Sequence, residues 1–321
     1  MSINRRDFLK GALAGVTLLA AAAPAEARPN NTMPAEAVGL LYDSTLCIGC
    51  KACVSACKDA NNMPAEFSMD EHYWDSPLDI SGKTLNIIKI YKEGTGENKD
   101  QEKDGFAFMK VSCLHCVDPS CVSVCPVSAM TKNPVNGIVG YDKEICIGCR
   151  YCVVACPFGV PRFQYDTPFP QISKCQLCRH RLAEGKYAAC ATVCPTGATL
   201  FGKVEDLHGE AKRRVALKAG EMSEFPRGNI NTHDQSSHTA KAAAYLPKIY
   251  GEKEVGGTQM LKLAAVPFDK LGMPTLAEQS NASISETMQH TMYGGLIAPL
   301  AFLGALTYAA KRNVKEDEHE E

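Results

Sequence analysis

Apolar positions along this chain fall into a few stretches that differ in period and length. Leu85-Asn86-Ile87-Ile88-Lys89-Ile90-Tyr91 and Phe106-Ala107-Phe108-Met109-Lys110-Val111 are rich in β-branched and aromatic residues and predict two strands. The polar run 93–105 between them predicts a hairpin connection. Residues 291–310 form a run of 20 without a charge. As a helix it would be ~30 Å long, the thickness of a bilayer's hydrocarbon core. Its Gly294, Gly295, Gly304 and Pro299 suit a membrane helix better than a soluble one. A buried core helix is the competing reading. Lys311 and Arg312 follow at once, which by the positive-inside rule puts the tail 311–321 in the cytoplasm and the bulk of the chain outside it. That tail ends in a charged run expected to be disordered.

A second, moderately apolar stretch lies at 11–23. Arg5-Arg6 precede it and Ala25-Glu26-Ala27 follow. Twin arginine, apolar run and small-x-small site in that order predict a signal peptide of the twin-arginine (Tat) route over 1–27. A chance arginine pair before an amphipathic helix is the alternative. The remaining stretches say less. Lys212, Arg213 and Arg214 fall on an expected helix and read as a solvated face. Residues 220–239 are polar and read as loop. Residues 242–285 either pack on the core or meet a membrane partner.

A formal net charge of −2 gives no reason to expect nucleic-acid binding. The cysteine count changes the picture far more, because the 16 thiols are clustered. Cys47, Cys50, Cys53 and Cys57 are spaced CxxCxxCxxxC. Cys113, Cys116, Cys121 and Cys125 have four residues between the middle pair. Cys146, Cys149, Cys152 and Cys156 repeat the first spacing, and Cys175, Cys178, Cys190 and Cys194 have eleven residues between the middle pair. Pro126, Pro157 and Pro195 follow the last three groups, whereas Lys58 follows the first.

A disulfide between CxxC neighbours closes almost no loop and so adds little stability. Structural zinc takes two CxxC pairs per ion and has no use for a third cysteine at the same short spacing. The run C-x2-C-x2-C-x3-C-P is instead the bacterial ferredoxin signature, in which three thiolates wrap one [4Fe–4S] cubane and the fourth ligates another. Gly49 and Gly148 inside the loops would let the backbone fold closely around a cluster. Sixteen thiols in four groups make four cubanes with none left over.

The pattern repeats. Residues 42–57 align without gaps with 141–156, and ten of sixteen positions are identical. Residues 121–130 likewise match 190–199 in CxxxCP and an alanine three residues on. Two ferredoxin-like modules follow, in an α+β fold. Spacing alone leaves open which groups exchange their fourth ligand. No Walker loop, GxGxxG, GxSxG or HExxH occurs, so the expected activity is electron transfer without bond chemistry. His115 invites a ligand role, but the count of thiols leaves it packing or supporting a ligand. Lys51, Arg150 and Lys174 flank cysteines. They are expected to be solvated, with raising cluster potentials the alternative.

From about residue 42 to 201 the chain resembles the four-cluster subunits of bacterial respiratory oxidoreductases, relatives of the electron-transfer subunits of dimethyl sulfoxide reductase and formate dehydrogenase. The resemblance implies a pairing. One cluster would take Cys47, Cys50, Cys53 and Cys194, and a second Cys57, Cys175, Cys178 and Cys190. A third would take Cys113, Cys116, Cys121 and Cys156, and a fourth Cys125, Cys146, Cys149 and Cys152. Lys58 stands where the ferredoxin signature has proline, which alters a turn, not a ligand.

Leader, LYDSTLCIGCKAC, CLHCVDPSCVSVCPVSAM, YGEKEVGGTQ and the C-terminal anchor together resemble most the ferredoxin-like subunits of membrane-bound nickel–iron hydrogenases. That likeness implies hydrogenase small and large subunits and a polytopic quinone-reactive subunit as partners, at the periplasmic face of the inner membrane. Service to a formate dehydrogenase or nitrite reductase is the alternative, and a structural metal-binding protein a more distant one. The implied organisation is a leader at 1–27 and a four-cluster domain at 28–205 with an insertion at 58–112. An extension at 206–290, a membrane helix at 291–310 and the tail complete it.

Overall fold

The computed structural model describes residues 26–66, 76–232 and 235–313. All of the leader but its last two residues, and 314–321 of the charged tail, lie outside them. The chain divides into a large unit, 30–282, and a unit made of the chain ends, described over 26–29 and 283–313.

In the large unit, β1 (Val38–Asp43) runs into the first cysteine loop and then α1 (Ala52–Ala60). Next come β2 (Asn86–Lys92), the short β3 (Asn98–Lys99) and β4 (Gly105–Ser112), where the sequence predicts a hairpin. β2 and β4 pair antiparallel over their whole length, with Ile88 opposite Lys110. The cysteine-rich middle has only short elements: α2 (Ser120–Ser123), β5 (Met130–Lys132), β6 (Val139–Tyr141), α3 (Tyr151–Ala155), β7 (Arg162–Phe163), β8 (Ile172–Ser173), α4 (Arg179–Ala183) and α5 (Ala189–Thr192). After the last cysteine come β9 (Thr199–Lys203), α6 (Val204–Val215), β10 (Met222–Asn229), β11 (Ser236–Lys241) and β12 (Met260–Leu263).

β1 is the second strand in from one edge of a five-stranded sheet ordered β11-β10-β9-β1-β12. It pairs antiparallel with β9, Leu40 opposite Phe201, and parallel with β12, Leu41 opposite Leu261. A strand covered on both faces reads as a continuous apolar run rather than an alternation, and Val-Gly-Leu-Leu-Tyr-Asp is buried from Gly39 onward. Residues 242–282 thus pack on the core, supplying β12 and the buried Val266, Phe268, Leu271 and Met273.

Two expectations are corrected here. Residues 220–239 are not a loop, because β10 and β11 form an antiparallel hairpin with Phe225 opposite His238. Their polarity misleads because only Phe225, Pro226 and Gly228 of β10 are buried. Arg214 is not part of a solvated face either. The buried residues of α6 include Val204, Leu207, Ala211 and Arg214, a helical stripe that carries the arginine inward. Its guanidinium, fully buried, meets Asp43 Oδ2 at 2.9 Å and Glu210 Oε1 at 2.7 Å.

The unit of the chain ends is dominated by α7 (Asn281–Asn313), which contains Pro299. Its span 281–308 is long and apolar enough to cross a membrane. Met292, Leu296, Ile297, Leu300 and Leu303 are exposed along it. Arg28 is tied to its first turns, through Nε to Glu286 at 2.7 Å and through its backbone N–H to Thr287 Oγ1 at 2.8 Å.

Candidate cluster-binding site

The cysteine loops owe their shape to left-handed residues at matching places. Gly49 and Gly148 have φ of 70° and 69°, and Lys51 and Arg150, each just before its helix, have φ of 57° and 64°. Gly49 is required twice over, since a Cβ there would lie 2.5 Å from the Phe108 ring as well as in a strained conformation. The tight turn aims the Gly49 N–H at Cys47 Sγ and the Gly148 N–H at Cys146 Sγ, both at 3.5 Å. Leu177 N–H meets Cys175 Sγ at 3.4 Å by the same two-residue step. Thr199 N–H meets Cys194 Sγ, also at 3.4 Å. Such N–H groups stabilise charge on sulfur.

Two of the four thiol sets line small, partly open pockets. Cys47, Cys50, Cys53 and Cys194 line one together with Tyr42, Ile88 and Thr199. Cys125, Cys146, Cys149 and Cys152 line the other together with Met130, Tyr141 and Ile172. The other eight thiols group by proximity. Burial, then Cys190 and Cys178, push the Cys57 thiol up to about 12. Burial, then Cys57, Cys113, Cys178 and Cys190, raise Cys175. Burial, then Cys113, Cys156 and Cys121, raise Cys116.

The sets are contiguous. Cys53 is raised to about 12 by burial first, with Cys190 of the next set among its neighbours. Cys175 has Cys113 as a neighbour, and Cys121 has Cys152. Bare thiols this buried resist ionisation. They become good thiolate ligands only when positive charge is supplied at their centre, which is what iron does. Among the described residues no three of His, Cys, Asp or Glu converge as a single mononuclear ion needs. The thiols stand around a space instead, as ligands of a cubane's separate irons do. The donor set and its cavities therefore fit [4Fe–4S] clusters.

His115, fully buried between Cys113 and Cys116, accepts the Val139 N–H at Nδ1, 3.1 Å away. Burial first, then Lys174 and Lys132, hold it well below histidine's usual range, so it is neutral. Lys51 is half-buried and donates to Ser76 O at 2.9 Å, while Arg150 is exposed. Lys174, expected at the surface, is buried, with its ammonium on the carbonyls of Val139 and Cys175.

Sequence reasoning missed two further contributors. Gln259 Nε2 donates to Val38 O at 2.7 Å and Asn136 O at 2.8 Å, and its backbone N–H bonds Leu114 O at 3.1 Å. It thereby clamps the second cysteine group to β1. Lys110 is buried beside the first two thiol sets. Gln259 carried a signal, as the last residue of the YGEKEVGGTQ segment. Lys110 carried none, because it reads as any polar residue of an alternating strand.

Loops with sulfur-directed N–H groups around four-thiol spaces define a [4Fe–4S] electron-transfer protein. A family model described as a 4Fe–4S dicluster domain matches residues 105–204, which hold the second to fourth cysteine groups. The chain is 47% identical to the hydrogenase-2 operon protein HybA of Escherichia coli O157:H7, over 99% of this chain and 98% of that protein. It is 34% identical to the formate dehydrogenase-O iron–sulfur subunit of Escherichia coli strain K12, over 86% of this chain and 81% of that one. The nitrate-inducible formate dehydrogenase iron–sulfur subunit of the same strain is 37% identical over 57% of this chain. The chain belongs to the HybA family and transfers electrons through [4Fe–4S] clusters.

Proposed function

We propose that the chain holds four [4Fe–4S] clusters in a row and relays electrons between a periplasmic nickel–iron hydrogenase, small and large subunits together, and a polytopic quinone-reactive membrane subunit. The observation that carries this reading is the contiguity of four thiol sets, linked through Cys53 to Cys190, Cys175 to Cys113 and Cys121 to Cys152. The ligand sets are those of the family resemblance: Cys47, Cys50, Cys53 with Cys194; Cys57 with Cys175, Cys178, Cys190; Cys113, Cys116, Cys121 with Cys156; and Cys125 with Cys146, Cys149, Cys152. Each cluster, when bound, supplies a one-electron carrier. The protein's own part is to hold sulfur in place, to donate N–H groups to it and to keep water from the inner thiols. Cys50 and Cys149, in the two terminal sets, are the exposed cysteines, so electrons enter and leave at those ends.

The chain catalyses no bond chemistry of its own in this reading. A Tat leader at 1–27 exports it folded, the span within α7 anchors it in the inner membrane, and residues 206–282 brace the cluster domain. Similarity to HybA over nearly the full length supports the hydrogenase partner. The formate dehydrogenase subunits support a second reading, the same relay serving another respiratory oxidoreductase. Deleting the chain tests the relay. Hydrogen oxidation with a soluble dye should persist while quinone reduction stops; survival of both activities would refute it, and loss of formate rather than hydrogen oxidation would favour the second reading.

A further inference from the structure

The hairpin inserted between the first two cysteine groups delivers a charge to the interior. Successive side chains of a strand point to opposite faces, so Phe108 and Lys110 of β4 share one. Phe108 lies against Gly49 in the first cysteine loop. Lys110, 1% exposed, reaches the sulfurs of Cys190 and Cys53 behind that loop. Its ammonium makes no hydrogen bond of ordinary geometry among the described residues. The thiols of Cys190, Cys53 and Cys57 are the groups that face it.

Other buried or half-buried lysines of the large unit are satisfied by oxygen. Lys132 donates to Cys116 O, Gly137 O and Gln259 Oε1 at 2.8 to 3.2 Å. Lys174 uses the carbonyls of Val139 and Cys175. Lys262 donates to Lys110 O at 2.8 Å, underpinning the strand that carries Lys110. An unpaired buried ammonium is strongly disfavoured, so it persists only where negative charge faces it. Cys53 belongs to the first thiol set, and Cys57 and Cys190 to the second.

We propose that Lys110 is a positioning charge between the first two clusters, one that raises the reduction potentials of that pair and leaves the pair held by the second and third cysteine groups unaffected. The inference rests on the ligand sets proposed above. Its test is a redox titration followed by electron paramagnetic resonance on the full-length chain, with iron and sulfide determined on the same samples. Lys110→Met should bind the same iron as the parent. At a fixed ambient potential the reduced-to-oxidised ratio of two of its clusters should fall about tenfold, 59 mV for one electron, with the other two unmoved.

Lys110→Arg, which keeps the charge, should keep the parental midpoints. A loaded Lys110→Met protein with unshifted midpoints, or with all clusters shifted alike, overturns the proposal. If Lys110→Met fails to load, Lys110→Arg decides: loading at parental midpoints upholds the charge, and failure of both reduces Lys110 to a packing residue. Absence of reducible clusters from the parent itself would instead refute the ligand sets.

Discussion

The two cysteine loops that repeat one another, 47–57 and 146–156, have the same backbone and opposite surroundings. Glycine and cation adopt matching left-handed conformations, and the same N–H meets the same sulfur at the same 3.5 Å. Around the first loop, though, Phe108 presses on Gly49, and Tyr42 and Ser44 both donate to Phe108 O, at 2.9 and 2.7 Å. Around the second, Ile145, Ile147, Tyr151 and Val154 stand exposed. The loop fold is therefore a local property of its sixteen residues. Burial, and with it the electrostatic setting of a cluster, is added from outside by the inserted hairpin and the C-terminal strands. The helices differ too: α3 stops at Cys156 before Pro157, while α1 runs three residues past Cys57. Lys58 permits that extension and fastens it, donating to Pro64 O, Lys83 O and Thr84 Oγ1 at 2.7 to 2.9 Å.

The largest expected effect that sharpens this contrast comes from Arg214, which braces the first loop through Asp43. Arg214→Met should cost about 3–5 kcal/mol, because it leaves the Asp43 carboxylate buried without its cation, while Glu210 keeps Arg213; the loss is read from thermal unfolding of the loaded protein. Exchanging the residues after the fourth cysteines comes next. Lys58→Pro should cost about 3 kcal/mol or more by breaking α1, and Pro157→Lys less than ~1 kcal/mol, since α3 has already ended. The glycines follow. Gly148→Ala should cost about 1–2 kcal/mol for its left-handed backbone, whereas Gly49→Ala should add about 1–3 kcal/mol for overpacking against Phe108. Equal costs at the two glycines would mean that the loops are buried alike.

The last effect is one of pH. Burial, then the charge of Lys110, lower Lys262 from lysine's ordinary 10.5 to about 7. Between those values the unfolded chain binds the proton and the folded chain does not, so stability rises with pH across that window. Below about 7 both forms are protonated and the cost of burying the charge is fully present. Lys262→Met should remove that rise, checked by comparing the pH dependence of unfolding for the two proteins.

The sequence made the metal chemistry legible because cubane ligation writes itself into short spacings, and because the repeat doubled the signal. The β2–β4 hairpin was legible from its β-branched residues, and the membrane-length helix from its lack of charge. What stayed hidden depended on distant pairing. Arg214 and Lys174 read as surface residues because charged side chains are seldom buried unless paired, and the partner of Arg214, Asp43, is 171 positions away. β10 and β11 read as loop because their polar residues face outward and β10 meets β9 at only two residues, Gly228 and Asn229. Lys110 was assigned to a strand correctly, but nothing in its neighbours shows that the other side of that strand holds sulfur.

The central claim is that four clusters occupy four contiguous thiol sets. Iron and acid-labile sulfide per chain, determined on anaerobically purified protein together with its reduced-state electron paramagnetic resonance, test it most directly. The account predicts about sixteen of each, four per cubane, with signals broadened by coupling between neighbouring clusters. About eight of each with uncoupled signals, or zinc in a folded protein without a reducible centre, would contradict it.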